Sequence, residues 1–234
     1  MAARSEHVST AIGPHHAQLA ERDTLLVALT MASGAVDAIS YLALGKVFTA
    51  FMTGNLVFLG IGVSGTAGPD VVPVSISLIG FAAGVLAARR ILGDRGSDVW
   101  PRPVTRLLEL VALLQLAFLG GWLAADGNPG PAGTDILIAL SAGAMGLQSG
   151  AVRALNVSGV FTTAATATII GLMTDVAAPH GSREPARLAG VIAGLVIGAT
   201  GAALLLAHVR QLAPVLPLTV TAGVVVAARA GIAR

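Results

Sequence analysis

The sequence predicts an all-α, polytopic membrane protein, a helix bundle built from two related halves. Hydrophobic residues make up 55% of the 234 residues and charged residues only 11%, whereas soluble domains carry about 25% charge. Eight apolar runs alternate with short polar stretches, and a polar pattern in the first half returns in the second. Lipid is therefore the expected solvent for most of the chain.

The apolar runs give the expected elements in order. They cover residues 24–44, 47–65, 71–88, 107–125, 134–152, 160–174, 188–207 and 211–228. Residues 1–23 mix charge, His and Gly-Pro without a continuous apolar run, which predicts a mobile cytoplasmic tail rather than a signal peptide. Residues 24–125 then form the first membrane repeat and residues 126–234 the second.

The second and sixth runs are interrupted by polar residues and are expected to be short, broken helices. Thr49, Thr53, Gly54 and Asn55 interrupt the second run, and the sixth run is rich in Thr. Polar and glycine residues are costly within lipid unless they line a cavity or bond to protein.

An internal repeat relates these two broken runs at a register of 113 residues. Val47-Phe48-Thr49 pairs with Val160-Phe161-Thr162, and Thr53 pairs with Thr166. Each half then reads as one helix, a short polar-centred segment, a Gly-rich helix and a further helix.

The distribution of Lys and Arg favours two inverted repeats, each with three spanning helices and one re-entrant segment. If both broken runs enter and leave the membrane on the same side and the N-terminus is inside, only Lys46 and Arg210 of the 14 Lys and Arg residues lie outside. That is the bias expected of cytoplasmic loops. The alternative of eight full crossings gives nearly no bias.

Asp37 is the only acid well inside the first apolar run, and Tyr41 follows it by one helical turn. A carboxylate at membrane depth is costly unless it is paired, hydrated or protonated. It is therefore a candidate for coupling a proton or cation, or for contacting a cationic solute. The structural alternative is a carboxylate that bonds to backbone N–H groups where a neighbouring helix breaks.

The hydroxyl and amide side chains of the broken runs are candidates for a solute or ion site near the membrane midplane. In an inverted repeat, Thr49 and Thr53-Gly54-Asn55 are expected to meet Thr162 and Thr166-Ala167-Thr168. Gln148 is a further candidate. The alternative is that these side chains only bond one helix to another.

Several classes of function find no support. The chain has no Cys and no metal, phosphate-loop, dinucleotide or catalytic motif, so we expect no cofactor, no metal site and no enzymatic activity. It lacks a basic run with interleaved aromatic residues, so we expect no binding to nucleic acid.

The first-half motifs Ser33-Gly34-Ala35-Val36-Asp37-Ala38-Ile39-Ser40-Tyr41-Leu42 and Phe51-Met52-Thr53-Gly54-Asn55 resemble the YoaK-like family of small bacterial multi-pass membrane proteins, a domain of unknown function. The resemblance continues at Gly146-Leu147-Gln148-Ser149, Arg153 and Phe161-Thr162-Thr163. Thr166-Ala167-Thr168 departs from the family's Thr-Gly-Thr, which removes the reason to expect close backbone approach there. The resemblance implies the bacterial inner membrane and no particular substrate.

We therefore expect an integral inner-membrane protein with both termini cytoplasmic, working as a monomer or homodimer. The leading hypothesis is a small secondary transporter or permease-like protein for a small polar solute, with Asp37 as the candidate proton-coupling acid. The alternative is a non-transporting membrane scaffold or partner-binding subunit. A hydrated cavity at Asp37 would favour transport, and a fully packed interior would favour the scaffold.

Overall fold

The computed structural model describes residues 6–93, 99–157, 165–176 and 184–231. Within these ranges the chain is helical with short connections and no strand, so the predicted all-α bundle is confirmed. The helices are α1 (Glu6–Ala43), α2 (Met52–Val63), α3 (Val71–Leu92), α4 (Arg102–Ala124), α5 (Pro131–Arg153), α6 (Ala165–Val176), α7 (Glu184–His208) and α8 (Val215–Ala230).

Six of the described helices are long and apolar enough to cross a membrane: α1 from His16 onward, α3, α4, α5, α7 and α8. α2 has only 12 residues. At 1.5 Å per residue it is about 18 Å long, well short of a hydrocarbon core about 30 Å thick. The chain is therefore a membrane protein with six span-length helices and a shorter apolar helix in its first half.

α1 is longer than the sequence predicts, because it continues without a break from Glu6 through the stretch expected to be a mobile tail. Residues 6–23 are thus helical in this structure. The assignment of residues 1–23 to a cytoplasmic tail stays a prediction, as do the boundaries of the two membrane repeats.

The two halves share one plan of elements. α2 and the described part of α6 lie 113 residues apart in sequence, at the register of the internal repeat, and α4 and α8 also begin 113 residues apart. The packing follows the same plan. α1 packs along α7 while α3 packs along α5, and α1 meets α8 while α4 meets α5.

Glycines bring the two long helix pairs into backbone contact. In the first pair, a Cβ at Gly194 would lie 2.9 Å from the Val27 carbonyl oxygen, and a Cβ at Gly198 would clash with the Met31 backbone. In the second pair, a Cβ at Gly84 would lie 3.0 Å from the Gly146 Cα. Small residues allow such close approach in membrane helices. In both pairs, residues further along one helix contact residues further along its partner, so the two helices of each pair run parallel.

Corresponding helices of the two halves run antiparallel. Gln148, near the end of α5, bonds to Leu29 in the middle of α1, whereas Ser141, earlier on α5, bonds to Thr49, just beyond α1. The same reversal relates α4 to α8. Arg229, at the end of α8, forms an ion pair with Glu109, near the beginning of α4. At the opposite end, the Trp122 indole N–H donates to the Arg210 carbonyl over 3.1 Å.

The buried core joins the halves. One apolar cluster includes Leu26 of α1, Leu108 of α4 and Met145 of α5, and a second includes Trp122 and Ile138. The outward surface is also apolar. Large exposed hydrophobic side chains occur along the bundle, among them Val57, Ile79, Leu113, Ile136, Ile197 and Val226. Such a surface fits contact with lipid rather than water.

Candidate functional site

The candidate site is built around the connection between α1 and α2, residues 44–51, which is not helical. Gly45 and Lys46 have φ angles of 95° and 61°, in the left-handed region. Such a turn ends a helix and redirects the chain, and it favours Gly. Val47, Thr49 and Ala50 then return into the protein and are buried. A non-helical backbone at this depth must find partners for its polar groups.

Asp37 supplies two of those partners. Its Oδ1 accepts hydrogen bonds from the backbone N–H groups of Thr49, over 2.9 Å, and Ala50, over 2.7 Å. This is the geometry expected of the structural alternative for Asp37. The side chain is half-buried, and it also lies in the wall of a cavity described below. Its position therefore allows both a structural role and contact with a solute.

Asn55 holds the same connection from the other side. Its Oδ1 accepts from the Phe48 N–H over 2.9 Å, and its Nδ2 donates to the Phe48 carbonyl over 2.6 Å. Ser77 of α3 donates to that carbonyl over 2.5 Å and accepts from Asn55 over 3.1 Å. Gly54 leaves room for the Phe48 ring, since a Cβ there would lie 2.9 Å from it. Asn55 is fully buried and acts on the backbone of Phe48.

Two further predicted site residues connect the halves. The Thr49 hydroxyl lies 2.9 Å from the Ser141 hydroxyl, which ties the connection to α5. Gln148 Nε2 donates to the Leu29 carbonyl over 3.2 Å and to the Ser33 hydroxyl over 2.9 Å. Both Thr49 and Gln148 are fully buried. Their contacts match the helix-bonding alternative.

A cavity of about 570 Å³ lies between α1, α7 and the connection before α2. Asp37 and Tyr41 form part of its α1 wall, and Phe48 and Phe51 contribute from the connection. α7 supplies a largely apolar wall that includes Leu195. Small-molecule sites in proteins measure about 300–1,000 Å³ and combine apolar walls with a few polar groups. The cavity has that size and composition.

Aromatic rings cluster at one end of this cavity. The Tyr41 and Phe48 rings stack with centroids 5.2 Å apart. Phe51 meets Phe48 edge to face at 5.6 Å, and Phe58 stacks on Phe48 at 5.7 Å. Because Tyr41 lies one turn beyond Asp37 on α1, the rings and the carboxyl group share one part of the wall.

The threonine-rich elements lie apart from the cavity. Thr53 and Thr166 are exposed, Thr168 is buried, and none of the three lines the cavity. Thr162 lies outside the described residues. α2 packs on α3 and α6 packs on α7. The expected meeting of the two threonine elements at the midplane is thus not among the extensive helix contacts of this structure.

Sequence reasoning missed most of the α7 wall, including Val191, Ile192 and Leu195. These residues are apolar and give no signal of their own. The spacing of Gly190, Gly194 and Gly198 does predict that α7 packs closely on another helix, but it does not identify α1 as the partner. Only the pairing of the helices reveals the cavity.

The family described as "Protein of unknown function (DUF1275)" matches residues 25–228 of this chain. The chain is also 37% identical over 157 residues to the UPF0700 transmembrane protein YoaK of Bacillus subtilis (strain 168). That alignment covers 67% of this chain and 68% of the relative. No solved structure matches. The match from α1 to α8 and the identity to YoaK show that the chain is a member of the DUF1275 family.

Proposed function

We propose that this protein is a small secondary transporter or permease-like protein of the bacterial inner membrane, and that its solute binds in the cavity between α1 and α7. The observation that carries the proposal is the cavity of about 570 Å³ that reaches Asp37 and the non-helical connection. A scaffold needs no such space beside a carboxyl group. The proposal assigns no enzymatic step.

The antiparallel arrangement of α1 and α5 supports an inverted repeat. If α2 does not cross the membrane, α5 is the fourth crossing and must run opposite to α1. If α2 does cross, α5 is the fifth crossing and must run parallel to α1. The contacts of Gln148 and Ser141 fit the first case. The antiparallel contact of α4 with α8 supports the corresponding conclusion for α6, because a crossing by α6 would make α4 and α8 run parallel.

Inverted repeats are common in secondary transporters, where the halves exchange conformations around a site formed by interrupted helices. The inferred orientation has both termini in the cytoplasm. It leaves Lys46 and Arg210 as the only basic residues outside, as the positive-inside rule favours. The cavity wall on α1 extends from Thr30, near the middle of the helix, to Leu42 near its outer end. In this orientation the cavity lies in the outer half of the membrane.

Asp37 has a double role in the proposal. Its Oδ1 fixes the connection before α2, and its carboxyl group lies in the cavity wall. A change in its protonation or in its contact with a solute would thus be felt by the backbone of Thr49 and Ala50. This is a direct physical route from solute binding to the position of α2, as coupled transport requires.

The test is uptake by purified protein in liposomes against a panel of small solutes, with and without a proton gradient. We expect at least one solute to be taken up by the wild type. Asp37→Asn should lose that uptake while remaining folded, because an Asn oxygen still accepts the two backbone hydrogen bonds. Asp135→Asn is the matched control, since Asp135 lies at the beginning of α5 and outside the cavity wall.

Uptake that is equal in the wild type and in Asp37→Asn would contradict the coupling role of Asp37. A wild type that moves no solute in either direction, across a panel that includes any compound it binds, would contradict transport and favour the scaffold.

A further inference from the structure

The charge of the cavity wall limits what the cavity can bind. Asp37 is the only acidic or basic residue among the described residues that line it. The remaining polar side chains of the wall are Thr30, Tyr41 and Thr200. An anion would therefore meet a carboxyl group with no Lys or Arg to balance it. A sugar or other polyhydroxyl compound would find few hydrogen-bonding partners, and unpaired polar groups of a bound solute cost free energy.

The aromatic rings favour a positively charged solute. Tyr41, Phe48 and Phe51 line the cavity next to Asp37, and the stacked and edge-to-face contacts among them fix the positions of the rings. A cation near the face of an aromatic ring is attracted to the ring, and more strongly where water is excluded. The backbone bonds of Asp37 to Thr49 and Ala50 keep the carboxyl group beside the segment that carries two of these rings.

The rest of the wall favours a solute with an apolar substituent. α7 contributes Val191, Ile192, Leu195, Ala199 and Ala203, and α1 contributes Leu42. A small inorganic cation needs several oxygen ligands to replace its water shell, and this wall offers few. An organic ammonium ion carries its own apolar substituents, so it loses less hydration on entry and buries apolar surface against α7.

We propose that the cavity between α1 and α7 binds organic ammonium ions that carry an apolar or aromatic substituent, with the positive charge between Asp37 and the ring of Tyr41. This rests on the proposed function, since it names the class of solute for the same site. It also narrows the expectation of a small polar solute to an amphipathic cation.

The test is a comparison of three aromatic probes that differ in charge. Binding of benzyltrimethylammonium, benzyl alcohol and benzoate is measured by calorimetry on the full-length protein in lipid nanodiscs, with empty nanodiscs as the blank. We expect the cation to bind at least tenfold more tightly than benzyl alcohol, and benzoate to bind more weakly than both. Similar affinities for the three probes, or tighter binding of benzoate, would overturn the proposal.

Variants then test whether the preference for the cationic probe arises from this cavity. Asp37→Asn should reduce the affinity for the cation at least tenfold and leave that for benzyl alcohol within about twofold. Tyr41→Leu should weaken cation binding several-fold. Tyr41 is 37% exposed and takes no part in the hydrogen bonds between Asn55 and Phe48, so this variant tests the site even if Asp37→Asn folds poorly. Asp135→Asn should bind all three probes as the wild type does.

Cation binding that is unchanged in both Asp37→Asn and Tyr41→Leu would overturn the assignment to this cavity. Different results would contradict the proposal of transport and the proposal of the solute class. Selective cation binding without any uptake in liposomes would contradict transport and leave the solute class standing. Uptake of neutral or anionic solutes, with no preference among the three probes, would contradict the solute class and leave transport standing.

Discussion

The pairs α1–α7 and α3–α5 each join one helix of the first half to one helix of the second, yet they differ in what they enclose. Both pairs run parallel and pack through glycines. Between α1 and α7 the chain leaves a cavity with Asp37 in its wall. The position that corresponds to Asp37 in the second half is Gly150, where a Cβ would clash with the side chain of Ala88. One pair is thus open around an acid, and at the corresponding position the other is closed around a glycine.

This difference distinguishes the helix packing that both pairs share from the features of the candidate site. Close glycine packing occurs in both pairs, so it follows from the shared helical plan and not from the binding of a solute. The carboxyl group and the aromatic rings belong to the first half, and they line the cavity only at the α1–α7 pair. The packing common to both pairs therefore explains the architecture of the bundle, whereas the residues that differ between the pairs mark the candidate site.

The largest effect is expected from exchanging the residues at the two corresponding positions, Asp37 and Gly150. Gly150→Asp introduces a larger side chain where α5 meets Ala88, and its Cβ alone would clash with the Ala88 side chain. Overpacking of a closely packed site destabilises the fold. We expect little or no monodisperse protein on size-exclusion chromatography. Asp37→Gly, the reciprocal change, should still give folded protein with a lower melting temperature. Normal yield of Gly150→Asp would contradict the closed packing of this pair.

A smaller effect is expected from adding one methyl group at the closest approach of α3 and α5. A Cβ at Gly84 would lie 2.9 Å from the Leu147 backbone nitrogen, and backbone cannot move aside easily. Overpacking of this kind costs about 1–3 kcal/mol, so Gly84→Ala should melt several degrees below the wild type in thermal unfolding. Gly143→Ala is the control, because its Cβ would find ordinary contacts at 3.9 Å. Equal melting temperatures for the two variants would contradict the packing.

The smallest effect is expected where a single hydrogen bond joins the first-half connection to the second half. Thr49→Val keeps the shape of the side chain and removes its bond to the Ser141 hydroxyl. Side-chain hydrogen bonds between membrane helices are worth about 0.6 kcal/mol on average. We expect a slightly lower melting temperature and unchanged cation affinity, since Thr49 does not line the cavity. A tenfold loss of affinity would instead place Thr49 in the site.

Much of the fold could be predicted from the sequence because lipid imposes a simple rule on composition. α3 begins at Val71 as predicted, after a polar turn capped by Asp70. The predicted helix ends were less accurate where charged residues lie at the membrane boundary. α4 begins at Arg102 rather than at residue 107, since long basic side chains can continue a helix beyond the apolar run and still reach water.

The site was predictable only in part. Asp37 could be identified from the cost of a charge at membrane depth, and it does line the cavity. Thr53 and Asn55 are close in sequence, but one is exposed and the other bonds to the Phe48 backbone. Polarity alone does not reveal which way a side chain points. Leu195 and its neighbours could not be predicted at all, because apolar wall residues look the same as residues that face lipid.

The central claim is that α2 enters and leaves the membrane on one side, which reverses the second half relative to the first. The chain has no cysteine of its own, so single-cysteine variants can be labelled cleanly with a membrane-impermeant maleimide on intact cells. Lys46→Cys and Thr66→Cys flank α2 at exposed positions, and Arg153→Cys reports the opposite side. We predict that both α2 variants are labelled from outside and that Arg153→Cys is labelled only after the membrane is opened. Labelling of Lys46→Cys and Thr66→Cys from opposite sides would contradict the inverted arrangement.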